Sequence, residues 1–163
     1  FAHPRSDKIE PVELSSAIND TLELFRENGI WQNRINVIQN LAEGVWTEMD
    51  ANHTHQIMWN LLLNAAHAID GTGTIEVSSR IVEGEDMVEV TVKDDGCGMS
   101  SETVSRIFDP FFTTKTHGTG LGLSVVYRLL ESYNGRLDVQ SETGEGTTFR
   151  IYVKRIDPPG ALS

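Results

Sequence analysis

Residues 55–69, HQIMWNLLLNAAHAI, read as a helix that is apolar on nearly every side. Such a helix has to be covered by other elements, so the chain must fold in layers around it. Two asparagines, Asn60 and Asn64, interrupt the run one turn apart and share a face. Carboxamides on a buried helix are costly unless something there needs them. Each offers a carbonyl oxygen, a hard ligand that suits Mg²⁺ beside phosphate oxygens.

The rest of the sequence supplies the covering layers. Residues 12–27 carry a helical stripe of Leu14, Ala17, Ile18, Leu22 and Phe25, with Ser15 or Ser16 and Gly29 as expected caps. Short strands are expected at 35–41 and 45–49, and Asn52 or Thr54 as the cap of the asparagine helix. Residues 74–82 and 87–92 alternate apolar and polar around Gly84-Glu85-Asp86, a hairpin of two half-buried strands. One or two helical turns follow at 101–106. A helix is expected at 121–133, striped by Leu121, Val125 and Leu129. Two more strands, 136–141 and 147–154, flank Thr143-Gly144-Glu145-Gly146. Residues 1–11 read as loop and 158–163 as tail. Three helices and hairpin-linked strands imply an α+β, two-layer sandwich with a mixed sheet of about five strands.

A chain of 163 residues is one domain's worth, and 39% hydrophobic with 23% charged residues is a globular balance. The net charge of −11 argues against nucleic acid or an anionic membrane as partner. It does not exclude a nucleotide in an amide-lined pocket. One cysteine, Cys97, rules out a disulfide framework and fits a reducing compartment. No apolar run reaches the roughly 20 residues of a membrane span. The chain opens on Phe1, as a piece of a longer protein would.

Three further motifs carry chemistry. Asp94-Asp95-Gly96-Cys97-Gly98-Met99 follows an apolar strand. Its glycines allow a sharp turn and close approach to a flat ligand, and its aspartate can accept from an exocyclic amine; a plain turn has the same composition. His117-Gly118-Thr119-Gly120-Leu121-Gly122-Leu123 opens a helix, where backbone N–H groups and the helix dipole favour an anion. The spacing is not that of a dinucleotide fold or a Walker loop. Between them lies Ile107-Phe108-Asp109-Pro110-Phe111-Phe112-Thr113-Thr114-Lys115. Its phenylalanines either plug the loop onto the core or serve a moving lid. Lys115 is either solvated or placed to reach a terminal phosphate as a point charge.

The order of these segments is specific. Asn-x₃-Asn, Asp-x-Gly-x-Gly, Phe-x-x-Phe-Phe with Thr-Thr-Lys, and Gly-x-Gly-x-Gly closely match the N, G1, F and G2 boxes of one family. From about Val12 to Val153 the chain resembles the catalytic ATP-binding domain of sensor histidine kinases, within the GHKL (Bergerat-fold) group. Asn134-Gly135-Arg136-Leu137 and Gly146-Thr147 through Val153 are similar to that family's last two strands. The lid, with only Thr116 and His117 between Lys115 and Gly118, resembles that of the nitrogen-regulation-type branch.

The resemblance implies roles residue by residue. Asn64 would ligate Mg²⁺ and Asn60 would assist. His67 falls where a phosphate contact is frequent, with a core or surface histidine as the alternative. Asp94 would bind the adenine amino group, Gly96 and Gly98 would give the base room, and Met99 would pack on it. Gly118, Gly120 and Gly122, with Thr119 and Leu121 between them, would wrap the phosphates. Leu123 would line the base side, Thr147 would support Asp94 through water, and Lys115 would meet the γ-phosphate. Cys97, Asn134 and Lys154 depart from the usual Pro, Gly and Pro.

By the same resemblance the domain spans 12–155. Residues 1–11 would be the end of an upstream dimerisation hairpin or linker, and 156–163 a tail. The domain would bind Mg·ATP and donate the γ-phosphoryl to a histidine on that hairpin, for relay to a response regulator receiver domain. None of the chain's histidines has the context of an acceptor. The fragment is expected to be a monomer, cytoplasmic whether or not its parent is anchored in a membrane. The alternatives are a GHKL ATPase of the gyrase or mismatch-repair type and a non-catalytic nucleotide-binding module. The first uses a glutamate where this chain has Asn60, which cannot act as a general base.

Overall fold

The computed structural model describes residues 8–107 and 122–160. Within them the elements run β1 (Ile9–Glu13), α1 (Leu14–Glu27), β2 (Ile35–Asn40), β3 (Trp46–Asp50), α2 (Ala51–Ala68), β4 (Gly73–Val82), β5 (Met87–Asp94), α3 (Ser101–Val104), α4 (Gly122–Ser132), β6 (Arg136–Glu142) and β7 (Gly146–Lys154). Five strands form one mixed sheet in the order β2-β4-β5-β7-β6, with only the β2–β4 pair parallel. The expected α+β sandwich with a sheet of about five strands is what forms.

Period-two alternation sets the register. Val77 pairs with Val92, and Val92 with Phe149, so the apolar rows of three strands fall on one face. Ile75, Val77, Val88, Val90, Val92, Phe149, Ile151 and Val153 are buried there. Against them lie Ile18, Leu22 and Phe25 of α1, Ile57, Met58, Leu61 and Leu62 of α2, and Val126 and Leu130 of α4. Each such side chain contributes about 1.5–3 kcal/mol on burial.

Five local expectations are corrected. Residues 9–11, read as loop, belong to β1, which pairs with β3 in a separate two-stranded sheet. Helix α1 is capped by Glu13, whose carboxylate accepts from the Ser16 N–H (2.9 Å), rather than by Ser15 or Ser16. Its exit runs through Asn28 in an extended conformation, without a left-handed Gly29. Helix α2 is capped by Asp50, not Asn52 or Thr54: Asp50 accepts from the Asn52 N–H at 2.8 Å and from the Lys8 N–H at 3.0 Å. The stripe of α4 is rotated by one residue, with Ser124, Val126 and Leu130 buried while Val125 and Leu129 flank them. The Leu-Leu and Val-Val doublets in that helix allow either reading from sequence.

The outer sheet face is polar and crossed by one rung of direct partners, Arg80, Glu89, Tyr152 and Arg136. Arg80 Nε and the Tyr152 hydroxyl donate to the Glu89 carboxylate at 2.9 and 2.8 Å, and the Arg136 guanidinium lies 4.0 Å from the Tyr152 ring centroid. Burial pushes the Glu89 carboxyl up, but the bonds from Arg80 and Tyr152 outweigh it and hold it below its ordinary range. Asn134 takes a left-handed φ of 60° that asparagine tolerates. No described helix is long and apolar enough to cross a membrane.

Candidate functional site

Two structural corners carry the residues singled out from sequence. The first is the seam between α2 and α4. The buried face of α2 is Thr54, Ile57, Met58, Leu61, Leu62, Ala65 and Ala66. Asn60 and Asn64 lie beside that face and are half-buried, so they are rim residues rather than core ones. The Asn60 Nδ2 donates to the carbonyl of Gly122, the first residue of α4, at 3.3 Å. This fixes its nitrogen toward α4. No hydrogen bond with a described residue engages the Asn64 carboxamide. A half-buried amide that no described residue engages is available to a ligand.

Leu123, one residue after Gly122, is partly buried against the core. A Cβ at Gly122 would meet no described residue within 4 Å. His67 is exposed, three residues beyond Asn64, and its ring stands edge-on to Trp31 with centroids 5.7 Å apart.

The second corner is the turn after β5. Asp94 is 2% exposed at the end of an apolar inward row, opposite Thr147 on β7. Its Oδ1 accepts from the Gly96 N–H at 2.8 Å, which closes the turn and orients the carboxylate. A Cβ on Gly96 would lie 2.4 Å from the Ala68 carbonyl oxygen. The same carbonyl accepts from the Cys97 N–H at 2.9 Å. The turn is therefore packed directly onto the last residue of α2. Gly98 has φ of 70°, and a Cβ there would fall 1.9 Å from the Glu142 carbonyl oxygen. At both glycines protein backbone occupies the side-chain space, so the loop's own packing already requires them.

Gly146, at φ 93°, likewise lies against the Asp94 carbonyl. Sequence reasoning missed Ser141. It accepts from the Met99 N–H at 2.8 Å and shares a 2.7 Å hydrogen bond with the Thr147 hydroxyl. It thus ties the far end of the Asp94 turn to the residue facing Asp94. A signal existed: in the inward row Leu137, Val139, Ser141, the serine is the one polar member.

The structure therefore gathers Asp94, Gly96, Gly98, Met99 and Thr147 at the sheet end, and Asn60, Gly122 and Leu123 at the helix seam. Helix α2 touches both groups, through Ala68 and Asn60. Lys115, Gly118, Thr119, Gly120 and Leu121, with Phe108, Phe111 and Phe112, lie outside the described residues. Among the described residues no group of three or more His, Cys, Asp or Glu could hold a metal. A metal here would depend on the asparagine amide oxygens and on oxygens brought by a ligand. That donor set fits Mg²⁺ accompanying a nucleotide.

Residues 49–156 match the family described as histidine kinase-, DNA gyrase B-, and HSP90-like ATPase. The chain is 33% identical over 161 residues to the signal transduction histidine-protein kinase AtoS of Escherichia coli, covering 98% of this chain and 26% of AtoS. It is 36% identical over 155 residues to the sensor histidine kinase ZraS of Klebsiella oxytoca, covering 94% of this chain and 33% of ZraS. The chain thus spans a third or less of these relatives. Among solved structures, the catalytic domain of histidine kinase ThkA superposes with a TM-score of 0.80 at 29% identity, covering 91% of this chain and 96% of that domain.

Proposed function

The chain belongs to the histidine kinase-, DNA gyrase B-, and HSP90-like ATPase family, and from that membership we propose that it is the ATP-binding catalytic domain of a sensor histidine kinase. It binds Mg·ATP and presents the γ-phosphoryl to a histidine on a separate dimerisation hairpin, from which a response regulator receiver domain takes it. Residues 12–155, together with the β1 residues 9–11 that pair with β3, form the domain, the residues before them lead from the hairpin, and 156–163 are a tail. The setting is cytoplasmic.

The observation that carries this reading is Asp94. A carboxylate held 2% exposed at a strand end, oriented by the Gly96 N–H, is shaped to accept from a flat ligand's amino group. Thr147, fixed by Ser141, stands opposite it as a second polar group. Met99 packs on the base, and Leu123 closes its other side. Asn64, assisted by Asn60, would hold Mg²⁺, which when bound supplies positive charge for the phosphate oxygens. Asn60 also bonds the start of α4, so a ligand on α2 senses where that helix begins. Gly118, Thr119, Gly120, Leu121 and Gly122 cradle the phosphates with backbone N–H groups, and His67 and Lys115 add side-chain contacts to them. Catalysis is positioning and charge stabilisation, with an imidazole nitrogen of the hairpin as nucleophile. Gyrase-type hydrolysis is disfavoured because Asn60 cannot take a proton from water.

Titration calorimetry with Mg·ATP tests the site. Asp94→Asn keeps the shape and an oxygen for Gly96, but sets an NH₂ donor against the ligand's amino group. The variant should bind about 10- to 100-fold more weakly. Unchanged affinity overturns the assignment of Asp94.

A further inference from the structure

Ser141 lies on β6, is half-buried, and belongs to none of the four sequence boxes. Its hydroxyl meets the Met99 N–H at 2.8 Å, the Gly146 carbonyl at 3.2 Å and the Thr147 hydroxyl at 2.7 Å. A serine hydroxyl has one hydrogen and two lone pairs. The Met99 N–H takes one lone pair. The hydrogen and the other lone pair serve the Gly146 carbonyl and the Thr147 hydroxyl. Nothing is left over for a ligand, so Ser141 can act on one only through the groups it holds. Two of those groups belong to the proposed base pocket. The register sets Ser141 opposite Thr147 and Thr147 opposite Asp94, and the Met99 N–H brings the far end of the Asp94 turn back to Ser141. The path from Asp94 through its turn to Met99, Ser141 and Thr147 therefore closes on itself.

Thr147 is 4% exposed, and among the described residues its hydroxyl bonds only with Ser141. The oxygen and methyl of a threonine are close in size, so packing alone does little to fix which way the hydroxyl points. The bond to Ser141 selects one orientation, and a hydrogen-bonding group that is already oriented costs a ligand nothing to order. We propose that Ser141 is a positioning residue for base specificity at the nucleotide site: it fixes the Thr147 hydroxyl beside Asp94, so that the two together read the amino-bearing edge of the base. A site built to hydrogen-bond one edge discriminates strongly against another only while its polar groups are held in place. The proposal rests on the reading of Asp94 as the base contact.

The test compares Mg·ATP with Mg·ITP, which carries a carbonyl where ATP carries the amino group, by calorimetry on the whole chain. The readout is the ratio of the two Kd values. General damage to the fold, to the phosphate contacts or to packing on the face of the base weakens both nucleotides and cancels in that ratio. The wild type should favour ATP, and Ser141→Ala should narrow the preference about 3- to 10-fold. In the Thr147→Val background the same change should alter the ratio by less than about twofold. An unchanged ratio in Ser141→Ala, or equal narrowing in both backgrounds, overturns the positioning role. Should Ser141→Ala not fold, Ser141→Cys replaces it, since a thiol fills the space but bonds weakly, with the same narrowing expected and the same results overturning the role. A wild type that binds ITP as well as ATP overturns the reading of Asp94 itself, a result seen before any variant is made.

Discussion

Replacing Gly96 by alanine should dislodge the turn that carries Asp94. The new Cβ would sit 2.4 Å from the Ala68 carbonyl oxygen and 2.6 Å from its carbon. Ordinary contact begins about 1 Å further out. The obstacle is helix backbone in the last turn of α2, which has no rotamer to change. The turn must therefore retreat by roughly an ångström, and the 2.9 Å bond from the Cys97 N–H to Ala68 goes with it. Overpacking of this kind costs about 1–3 kcal/mol and the lost bond about 1 more, so a loss of about 2–4 kcal/mol is expected. Because the Gly96 N–H also orients Asp94, Mg·ATP affinity should fall at least about tenfold. Urea unfolding and calorimetry on the same preparation measure both. Gly29→Ala is the matched control, since a Cβ there meets nothing within 4 Å and its φ is not left-handed. It should change stability by no more than about 0.5–1 kcal/mol. If Gly96→Ala unfolds and binds like Gly29→Ala, the packing of the turn on α2 is wrong.

Other perturbations address the scaffold. Asp50→Ala removes the cap of α2 and should cost about 1–2 kcal/mol near neutral pH. The Asn52 N–H, and after it the Lys8 N–H, hold the Asp50 carboxyl below its ordinary value of 3.8 despite burial. A depressed carboxyl stabilises above its unfolded pKa, so the gap between wild type and Asp50→Ala in urea midpoint should shrink as pH falls below about 3.8. Tyr152→Phe removes the 2.8 Å bond to Glu89 and should cost about 1–2 kcal/mol in the same assay. Burial and that bond raise the Tyr152 hydroxyl above 10.0, so its contribution is present below pH 10.0 and lost as pH rises through the folded value. Absorbance titration should accordingly find a late-ionising tyrosine contribution in the wild type that is missing from the variant.

How legible all this was depends on the kind of signal. The β4–β5 hairpin was plain because alternation and a turn coincide, and the stripe of α1 because one face is apolar. Strand β1 was hidden: Pro11 and two charged residues in Ile9–Glu13 mark a short edge pairing, not a core strand. Glu13 and Asp50 were missed as caps because serines, Asn52 and Thr54 stood closer to the expected starts. The asparagines and Asp94 were found through residue type and spacing. Sequence described the asparagines as buried, whereas they line the rim of α2, since hydrophobic neighbours say nothing of which face α4 leaves open. Ser141 showed in sequence only as the polar member of an inward row, and its partner Thr147 follows from the sheet register that sets the two side by side. Trp31 and His67 are far apart in sequence, and only the fold brings their rings together.

The most direct measurement uses γ-labelled ATP, Mg²⁺, this chain and a separately prepared hairpin domain bearing an acceptor histidine. The account predicts label on that histidine, dependent on this chain and strongly reduced by Asp94→Asn. Release of free phosphate with no label on the hairpin would contradict it.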